Sequence, residues 1–247
     1  PVVFVAVKLR PESHTLLFVL SVLAIVPLAT LLSHATESVA AKTGDAAGGL
    51  LNATLGNLTE LVIALAALKA GQYALVKASL AGAIVTNTLF MLGASFLLGG
   101  LKHHVQEYNR VGARFQAALL FLATLALLVP SALAEKGRAS AEVMQTLSLG
   151  LAVLLIVAYA LGMLFSLKTH RELFASAAHG EEGEAPWPLG LALVTLAGVT
   201  VLVALVSEVF VESVQQAAEA FGMSPAFVGF IVVALVGAAA EMASAFS

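Results

Sequence analysis

The sequence predicts an all-α, polytopic membrane protein, and three observations support this. Of its 247 residues 60% are hydrophobic and only 11% are charged, with a mean hydropathy of +0.99; this composition excludes a soluble globular enzyme and a disordered chain. Several uncharged stretches reach the roughly 20 residues that cross a hydrocarbon core as a helix. None shows the short apolar–polar alternation of barrel strands. We therefore expect a bundle of transmembrane helices.

Seven apolar stretches are long enough to span a membrane, and Glu60 is the one charged residue inside them. We number them spans 1 to 7; they are residues 15–33, 48–68, 78–101, 115–134, 143–167, 185–207 and 220–240. Residues 1–14 precede them as an N-terminal segment.

An acidic linker, residues 169–187, separates spans 5 and 6 and contains Glu181, Glu182 and Glu184. It is expected to be a solvated connection between two halves of the protein. Trp187 at its end is expected to be an aromatic anchor at the membrane surface.

Composition also limits the partners. The net charge is −3 and no cluster of basic residues is present, which excludes nucleic acid and leaves the lipid bilayer as the surrounding partner. The absence of cysteine excludes disulfides and thiolate metal sites. Lysine and arginine divide equally between the two predicted sides, so membrane orientation stays open. Short loops and an Ala/Leu-rich composition favour a prokaryotic plasma membrane.

The two halves share a pattern that indicates an internal repeat. Gly48, Gly56 and Glu60 recur as Gly229, Gly237 and Glu241 at the same spacing, and the tripeptide Glu-Ser-Val occurs upstream in both halves, at 37–39 and 212–214. Each tripeptide lies in a short amphipathic stretch, for which an interfacial helix is expected. Equivalent spans lie five crossings apart, so the second copy is inverted, as in secondary transporters.

The repeat predicts the domain organisation. Residues 15–168 form the first inverted repeat, and residues 188–247 begin the second. Five spans per repeat would give about ten helices, of which seven are present. The partners of spans 3 to 5 are missing, so we expect the sequence to be a fragment that does not transport alone.

Glu60 is the leading functional candidate, because a charge at the centre of a spanning helix costs roughly 3 kcal/mol and usually faces a bundle interior or a wet cavity. Thr59, Gly56 and Asn52 share its helix face. A comparable polar face on span 3 contains Ser79, Thr86 and Asn87. An alternative stays open, in which these groups only form hydrogen bonds between packed helices.

The glycines of spans 2 and 7 predict broken or tightly packed helices, since each costs about 1 kcal/mol relative to alanine in a continuous helix. Freed carbonyl oxygens beside carboxylates suit a hard cation such as Ca²⁺. A carboxylate pair binds the cation when deprotonated and releases it when protonated, which would couple Ca²⁺ to protons in an antiporter. A sodium-coupled exchanger and a passive channel or structural membrane protein are the alternatives. No catalytic set or organic cofactor motif is present, so an enzyme is not expected.

At this point a family resemblance becomes visible. The run GLLNATLGNLTELVIA at 49–64, continued by Ala67–Gly71 and by 79–87, closely resembles the first signature of the calcium/proton antiporter family, part of the calcium:cation antiporter superfamily. Residues 237–241, GAAAE, resemble the start of the second signature. Ala238 and Met242 depart from the family pattern, which has Asn and His at these positions.

The resemblance implies a site as well as a function. Ca²⁺ would be the transported substrate, held by Glu60, Glu241, carbonyls near Gly56 and Gly237, and a polar surround that includes Asn57 and Asn87. It also implies that spans 1 and 6 slide as a pair against the other helices. The amphipathic stretches that carry Glu37 and Glu208/Glu212 would then be gating or cation-entry elements, as an alternative to interfacial helices. Transport of Mn²⁺ or another divalent cation, the stoichiometry, and the oligomeric state, including a homo-oligomer, are left open by the sequence.

Overall fold

The computed structural model describes residues 2–135, 140–170, 173, 185–239 and 241–242. Within these residues the chain is helical and forms no strand. The helices are α1 Val2–Leu9, α2 His14–Lys42, α3 Asp45–Leu55, α4 Leu58–Lys69, α5 Tyr73–Lys102, α6 Arg110–Glu135, α7 Ala141–Thr169, α8 Leu189–Ala220 and α9, which comprises Pro225–Val228, Gly229–Val233 and Ala234–Gly237. The N-terminal segment, to which the sequence assigned no structure, contains α1.

Five of the seven predicted spans are present as membrane-length helices, and a sixth is present as a bent pair of shorter helices. Helices α2, α5, α6, α7 and α8 are continuous and correspond to spans 1, 3, 4, 5 and 6. Span 2 is a bent pair, α3 and α4, with an angle of 43° between its two parts. This bend confirms the broken helix that the glycines of span 2 predicted.

The prediction of one spanning helix over 220–240 is wrong for the described residues. Helix α8 ends at Ala220, and Gly222 then takes φ +67°, a conformation that glycine adopts without the steric cost of a side chain. Proline is well suited to the first turn of a helix, and Pro225 opens α9. The apolar helix Ala226–Gly237 is therefore only about 18 Å long.

The two amphipathic stretches are not separate interfacial helices, so that expectation is also wrong. Residues 33–39 continue α2, and residues 207–214 continue α8. The reason is packing, because Ala35 and Val39 in α2, and Phe210 and Val214 in α8, stay buried on the face that the apolar part of each helix already uses. Both helices are consequently 29 residues or longer.

The described chain divides into two compact units. The first contains Pro1–His104 and Glu184–Ser247, and the second contains Val105–Gly183. This division follows packing, whereas the predicted domains follow internal repetition. The predicted division into repeats and linker therefore stays a prediction, and Glu181, Glu182 and Glu184 of the linker lie outside the described residues.

Helices α2 and α8 form the centre of the first unit and run antiparallel. Phe18 near the start of α2 stacks on Phe210 near the end of α8, with ring centroids 5.4 Å apart. At the other end, the backbone N–H of Trp187 donates to Ser38 Oγ at 3.2 Å. The Trp187 ring also packs on His34 of α2 at 4.4 Å between centroids, so the end of the linker is docked onto α2.

Helices α6 and α7 pack against each other in the second unit. Gly162 of α7 lets α6 approach closely, because a Cβ built there would lie 3.2 Å from Phe115 Cζ and 3.3 Å from Leu119 Cδ1. Asn109 precedes α6, accepts from the Gly112 N–H at 2.9 Å, and donates to the Leu173 carbonyl at 2.7 Å. This unit carries none of the residues predicted to bind a cation.

Candidate functional site: two glutamates beside two helix breaks

The first break lies between Leu55 and Leu58, where α3 ends and α4 begins. Gly56 and Asn57 form the connection, and the Leu61 N–H donates to the Asn57 carbonyl at 3.1 Å to open the new helix. Glu60 therefore lies in the first turn of α4. The free N–H groups and the dipole of a helix N-terminus favour a negative charge at this point.

The second break has the same local construction. Helix α9 ends at Gly237, and the Met242 N–H donates to the Ala238 carbonyl at 2.9 Å. Glu241 consequently follows its glycine by four residues in the first turn of a new helical segment, as Glu60 follows Gly56. The matched spacing that the sequence shows thus corresponds to matched backbone geometry.

The two breaks meet inside the first unit. A Cβ built on Gly237 would lie 2.8 Å from Glu60 Cγ and 3.2 Å from Glu60 Oε1, so the backbone of the second break touches the side chain of the first glutamate. The Glu241 carboxylate is close enough to interact electrostatically with Glu60. In the described part of the chain, the buried Oε2 atoms of Glu60 and Glu241 have no hydrogen-bond partner.

Helix α5 supports the second break through backbone contacts. A Cβ on Gly82 would overlap the Phe230 carbonyl oxygen, and a Cβ on Gly229 would lie 2.8 Å from the Leu75 carbonyl oxygen and 3.0 Å from Ala78 Cβ. The absence of side chains at these two glycines lets α5 and α9 approach at backbone distance. The position of Gly237 against Glu60 depends on this approach. Gly237 is the last residue of α9, and Gly82 and Gly229 are where α9 packs against α5.

The structure shows no hydrogen bond from the remaining predicted residues to this pair among the described residues. Gly56 is half-buried at the first break, whereas the side chains of Asn57 and Asn87 are exposed. Among the described residues neither asparagine forms a hydrogen bond with Glu60 or Glu241. Asn87 lies in the π-helical segment Thr86–Met91 of α5. The ligand roles of all six residues stay predictions.

Two polar residues of the predicted faces are buried. Thr59 precedes Glu60 and is 3% exposed, and Thr86 is 7% exposed. Ser79 does not face the pair as a free donor, because its hydroxyl donates to the Val76 carbonyl of its own helix at 2.9 Å.

The donor set is two carboxylates and backbone carbonyls. The described residues contain no group of three or more His, Cys, Asp or Glu side chains that could hold a metal. Ca²⁺ takes 6 to 8 oxygen ligands and accepts carbonyls and waters among them. Two glutamates beside two breaks fit part of such a shell, and they are also proton acceptors.

An ion pair between Lys69 and Glu208 connects the two predicted repeats and was not predicted from the sequence. Lys69, the last residue of α4, lies 2.8 Å from Glu208 Oε1 of α8. The signal available in the sequence was a lysine at the end of a span and an acidic residue in an amphipathic stretch. Neither the distance nor the pairing could be derived from spacing.

Long apolar helices, two helix breaks and one carboxylate at each break together define the class of this protein as a polytopic helical membrane protein with discontinuous helices. The family model described as "Sodium/calcium exchanger protein" matches residues 13–168 and 191–247. The chain belongs to this family.

Curated relatives specify the branch of the family. The chain is 41% identical to a Bacillus subtilis protein named Ca(2+)/H(+) antiporter ChaA, over 93% of this chain and 66% of that protein. It is 39% identical to a Ca(2+)/H(+) antiporter of Aphanothece halophytica, over 91% of this chain and 64% of that protein. The predicted resemblance to calcium/proton antiporters is therefore confirmed.

Solved structures agree with the sequence relatives. The native structure of YfkE matches with a TM-score of 0.78 and 32% identity, over 98% of this chain and 69% of that chain. A selenium-substituted crystal structure describes YfkE as a Ca2+/H+ antiporter protein and matches at 35% identity, over 98% of this chain and 67% of that one. The chain thus spans about two thirds of the length of the relatives it matches.

Proposed function

We propose that this chain contributes the cation site of a secondary active transporter that exchanges Ca²⁺ for H⁺ by alternating access. The observation that carries the proposal is the meeting of the two breaks, where the Gly237 backbone touches the Glu60 side chain and, among the described residues, Glu60 and Glu241 each have a buried oxygen without a hydrogen-bond partner. The exchanged ions, Ca²⁺ and H⁺, are those in the names of the relatives.

The burial of the carboxylates supports a binding role over a packing role. A buried oxygen without a hydrogen bond has lost its hydration without compensation. Packing glutamates would be expected to acquire donors from neighbouring helices. Glu60 and Glu241 instead each leave a buried acceptor atom open at a helix break, which suits a cation that arrives and departs.

The charges of the site account for the exchange. Two ionised carboxylates balance one divalent cation, and two protons neutralise the same pair when the cation is absent. Both occupied states avoid the unfavourable state of two uncompensated negative charges at close distance. Ca²⁺ and protons would therefore compete for the pair, and exposing it to one side at a time would couple their movements.

The remaining ligands would come from the breaks. Carbonyls near Gly56 and Gly237, the amide oxygens of Asn57 and Asn87, and water would complete the 6 to 8 oxygens that Ca²⁺ requires. The exposure of both asparagines is compatible with a place on the access route to the glutamates. Mn²⁺ and other divalent cations also bind carboxylate, carbonyl and water oxygens, so they are candidate substrates for the same site.

The long antiparallel pair α2 and α8 is the proposed moving element. These helices extend about 44 and 48 Å, which exceeds a core of roughly 30 Å. Their mutual contact is mainly apolar, through residues such as Leu32, Val199 and Val203.

The location proposed for the protein is a prokaryotic plasma membrane, supported by its short loops and by bacterial relatives such as that of Bacillus subtilis.

The test is Ca²⁺ uptake into everted vesicles that contain the full-length protein, with an imposed proton gradient or an imposed sodium gradient. We expect uptake to follow the proton gradient and to be lost in Glu60→Gln and in Glu241→Gln. The matched control is Glu219→Gln, which removes the same charge from an exposed position at the end of α8. It is expected to transport at the parent rate.

Two outcomes would contradict the proposal in different ways. Uptake that follows the sodium gradient would assign the chain to sodium-coupled exchange. Uptake that ignores both gradients and both glutamate substitutions would indicate a passive pathway, with Glu60 and Glu241 serving packing.

A further inference from the structure

Polar contacts join the end of α4, and the turn that follows it, to α8. Lys69 Nζ lies 2.8 Å from Glu208 Oε1, and Gln72 Nε2 donates to Gln215 Oε1 at 3.5 Å. Glu212, one turn after Glu208, also attracts Lys69 electrostatically. These contacts are directional, whereas the rest of the α4–α8 contact is an apolar cluster that includes Ile63 and Ala67.

Apolar and charged contacts respond differently when two helices slide. Contacts between aliphatic groups are non-directional, and shifting the helices exchanges one such contact for another. An ion pair holds only at short distance and in suitable geometry. The Lys69–Glu208 pair therefore selects one register of α4 against α8, and a shift of a few ångström breaks it.

The position of the pair connects it with the site. Lys69 follows Glu60 by nine residues on α4, which is about 13 Å along the helix axis. Helix α4 carries the first glutamate and belongs to the first predicted repeat, while α8 belongs to the second. Ala66, Lys69 and Glu208 line a cavity of about 280 Å³ at this end of the two helices.

We infer that the Lys69–Glu208 pair is a latch that holds α4 and α8 together at one end and opens when the site changes the side to which it is exposed. The inference rests on the proposed function, in which one repeat moves against the other. Lys69 and Glu208 side chains are 78% and 48% exposed. The latch is therefore weak and shifts the populations of the two states by about two- to fivefold, which suits a contact that opens in every cycle.

The absence of cysteine from the chain permits a direct test. Ala66→Cys places a thiol beside the latch in full-length protein in which any cysteine outside these 247 residues is replaced by serine, and its reaction with a hydrophilic maleimide reports the opening of the α4–α8 contact. We expect labelling about two- to fivefold faster after Lys69→Gln. Raising the salt concentration is expected to accelerate labelling of the parent and to leave Lys69→Gln almost unchanged, because salt screens exposed charges.

Two further variants separate the latch from a general effect of charge. Lys77→Gln removes a positive charge near the start of α5, where no ion pair is present among the described residues, and is expected to label at the parent rate. The exchange Lys69→Glu with Glu208→Lys restores the pair with reversed signs, and is expected to bring labelling back toward the parent rate.

Equal labelling of the parent and Lys69→Gln, or equal acceleration by Lys77→Gln, would overturn the latch even if Ca²⁺/H⁺ exchange were intact. A labelling difference that is reversed by the charge exchange supports the latch. The labelling requires no transport, so a failure of proton-driven Ca²⁺ uptake with the labelling difference intact would count against the proposed function alone.

Discussion

Helices α2 and α8 of the first unit and helices α6 and α7 of the second are almost equally apolar, yet they differ in what surrounds them. In the most apolar 18-residue segment of each helix, the mean hydropathy is 2.6 for α2 and α8, 2.3 for α6 and 2.4 for α7. Of the residues in those segments, 33% in α2 and 22% in α8 are buried inside the protein, but only 6% in α6 and 6% in α7. Hydropathy thus identifies a membrane helix without identifying its neighbours.

The difference has a physical origin. Lipid tails are as apolar as leucine, so a helix gains little hydrophobic free energy by leaving lipid for protein. Close packing, small residues and polar contacts decide which helices associate. In the first unit these features are backbone approaches at Gly82 and Gly229 and the Phe18–Phe210 stack. Among the described residues of the second unit, the one close approach of this kind is at Gly162, and it is to the Phe115 and Leu119 side chains.

The largest expected effect comes from Phe210→Ala, which removes the ring that stacks on Phe18 at one end of the α2–α8 contact. Phe210 is fully buried, and truncating a buried phenylalanine costs about 3–5 kcal/mol. The thermal midpoint in detergent, followed by circular dichroism, is expected to fall by about 10 °C. Phe121→Ala in α6 is the matched control, because Phe121 is 66% exposed; an equal loss there would break the comparison between the units.

Gly82→Ala is expected to destabilise the protein by about 1–3 kcal/mol, because the new methyl group would overlap the Phe230 carbonyl. Gly93→Ala lies on the same helix with open space around it and is expected to stabilise by up to about 1 kcal/mol through helix propensity. Thermal midpoints that move in opposite directions would support the backbone contact. A shift in the same direction for both variants would refute it.

Gly237→Ala tests the site with a smaller change in stability. The added methyl group would lie 2.8 Å from Glu60 Cγ, so the carboxylate must move away from the second break. We expect the apparent affinity for Ca²⁺ to fall about tenfold, measured from initial uptake rates against Ca²⁺ concentration. Gly198→Ala in α8 has nothing within 4 Å and is expected to keep the parent affinity. Unchanged affinity in Gly237→Ala would separate Gly237 from the site.

The smallest effect is expected for Gly162→Ala in the second unit. Its methyl group would approach the ends of the Phe115 and Leu119 side chains, which can rotate away, and helix propensity gains about 1 kcal/mol. The net change in the free energy of unfolding is expected to stay within about 1 kcal/mol. A loss as large as that of Gly82→Ala would show that the second unit depends on packing as strongly as the first.

The sequence predicted the helical class and six span positions because about 20 apolar residues can do little else in a bilayer. It failed over 220–240, where the turn at Gly222 carries no charge, and hydropathy does not register an uncharged turn. It also failed for the stretches at 33–39 and 207–214. Their polar residues lie on one face of a helix that continues, and composition alone does not distinguish continuation from a separate helix.

The site was predictable to a lesser degree. Glu60 was identified because an intramembrane charge is costly, and Glu241 because its spacing to glycine repeats that of Glu60. The contact between Gly237 and the Glu60 side chain required the structure, since spacing within each half carries no information on how the halves meet. The same holds for Lys69 and Glu208, which are about 140 residues apart in the chain.

The contact between Gly237 and Glu60 also has a consequence for how the protein is made. Gly237 is translated about 180 residues after Glu60, which corresponds to a delay of about 10 to 40 s at ordinary rates of synthesis. During this interval the bent pair α3–α4 is in the membrane without the helix that covers its carboxylate. A newly made chain therefore holds an uncovered acidic group in lipid, and this period is when water, a proton or a membrane chaperone would be needed to stabilise it.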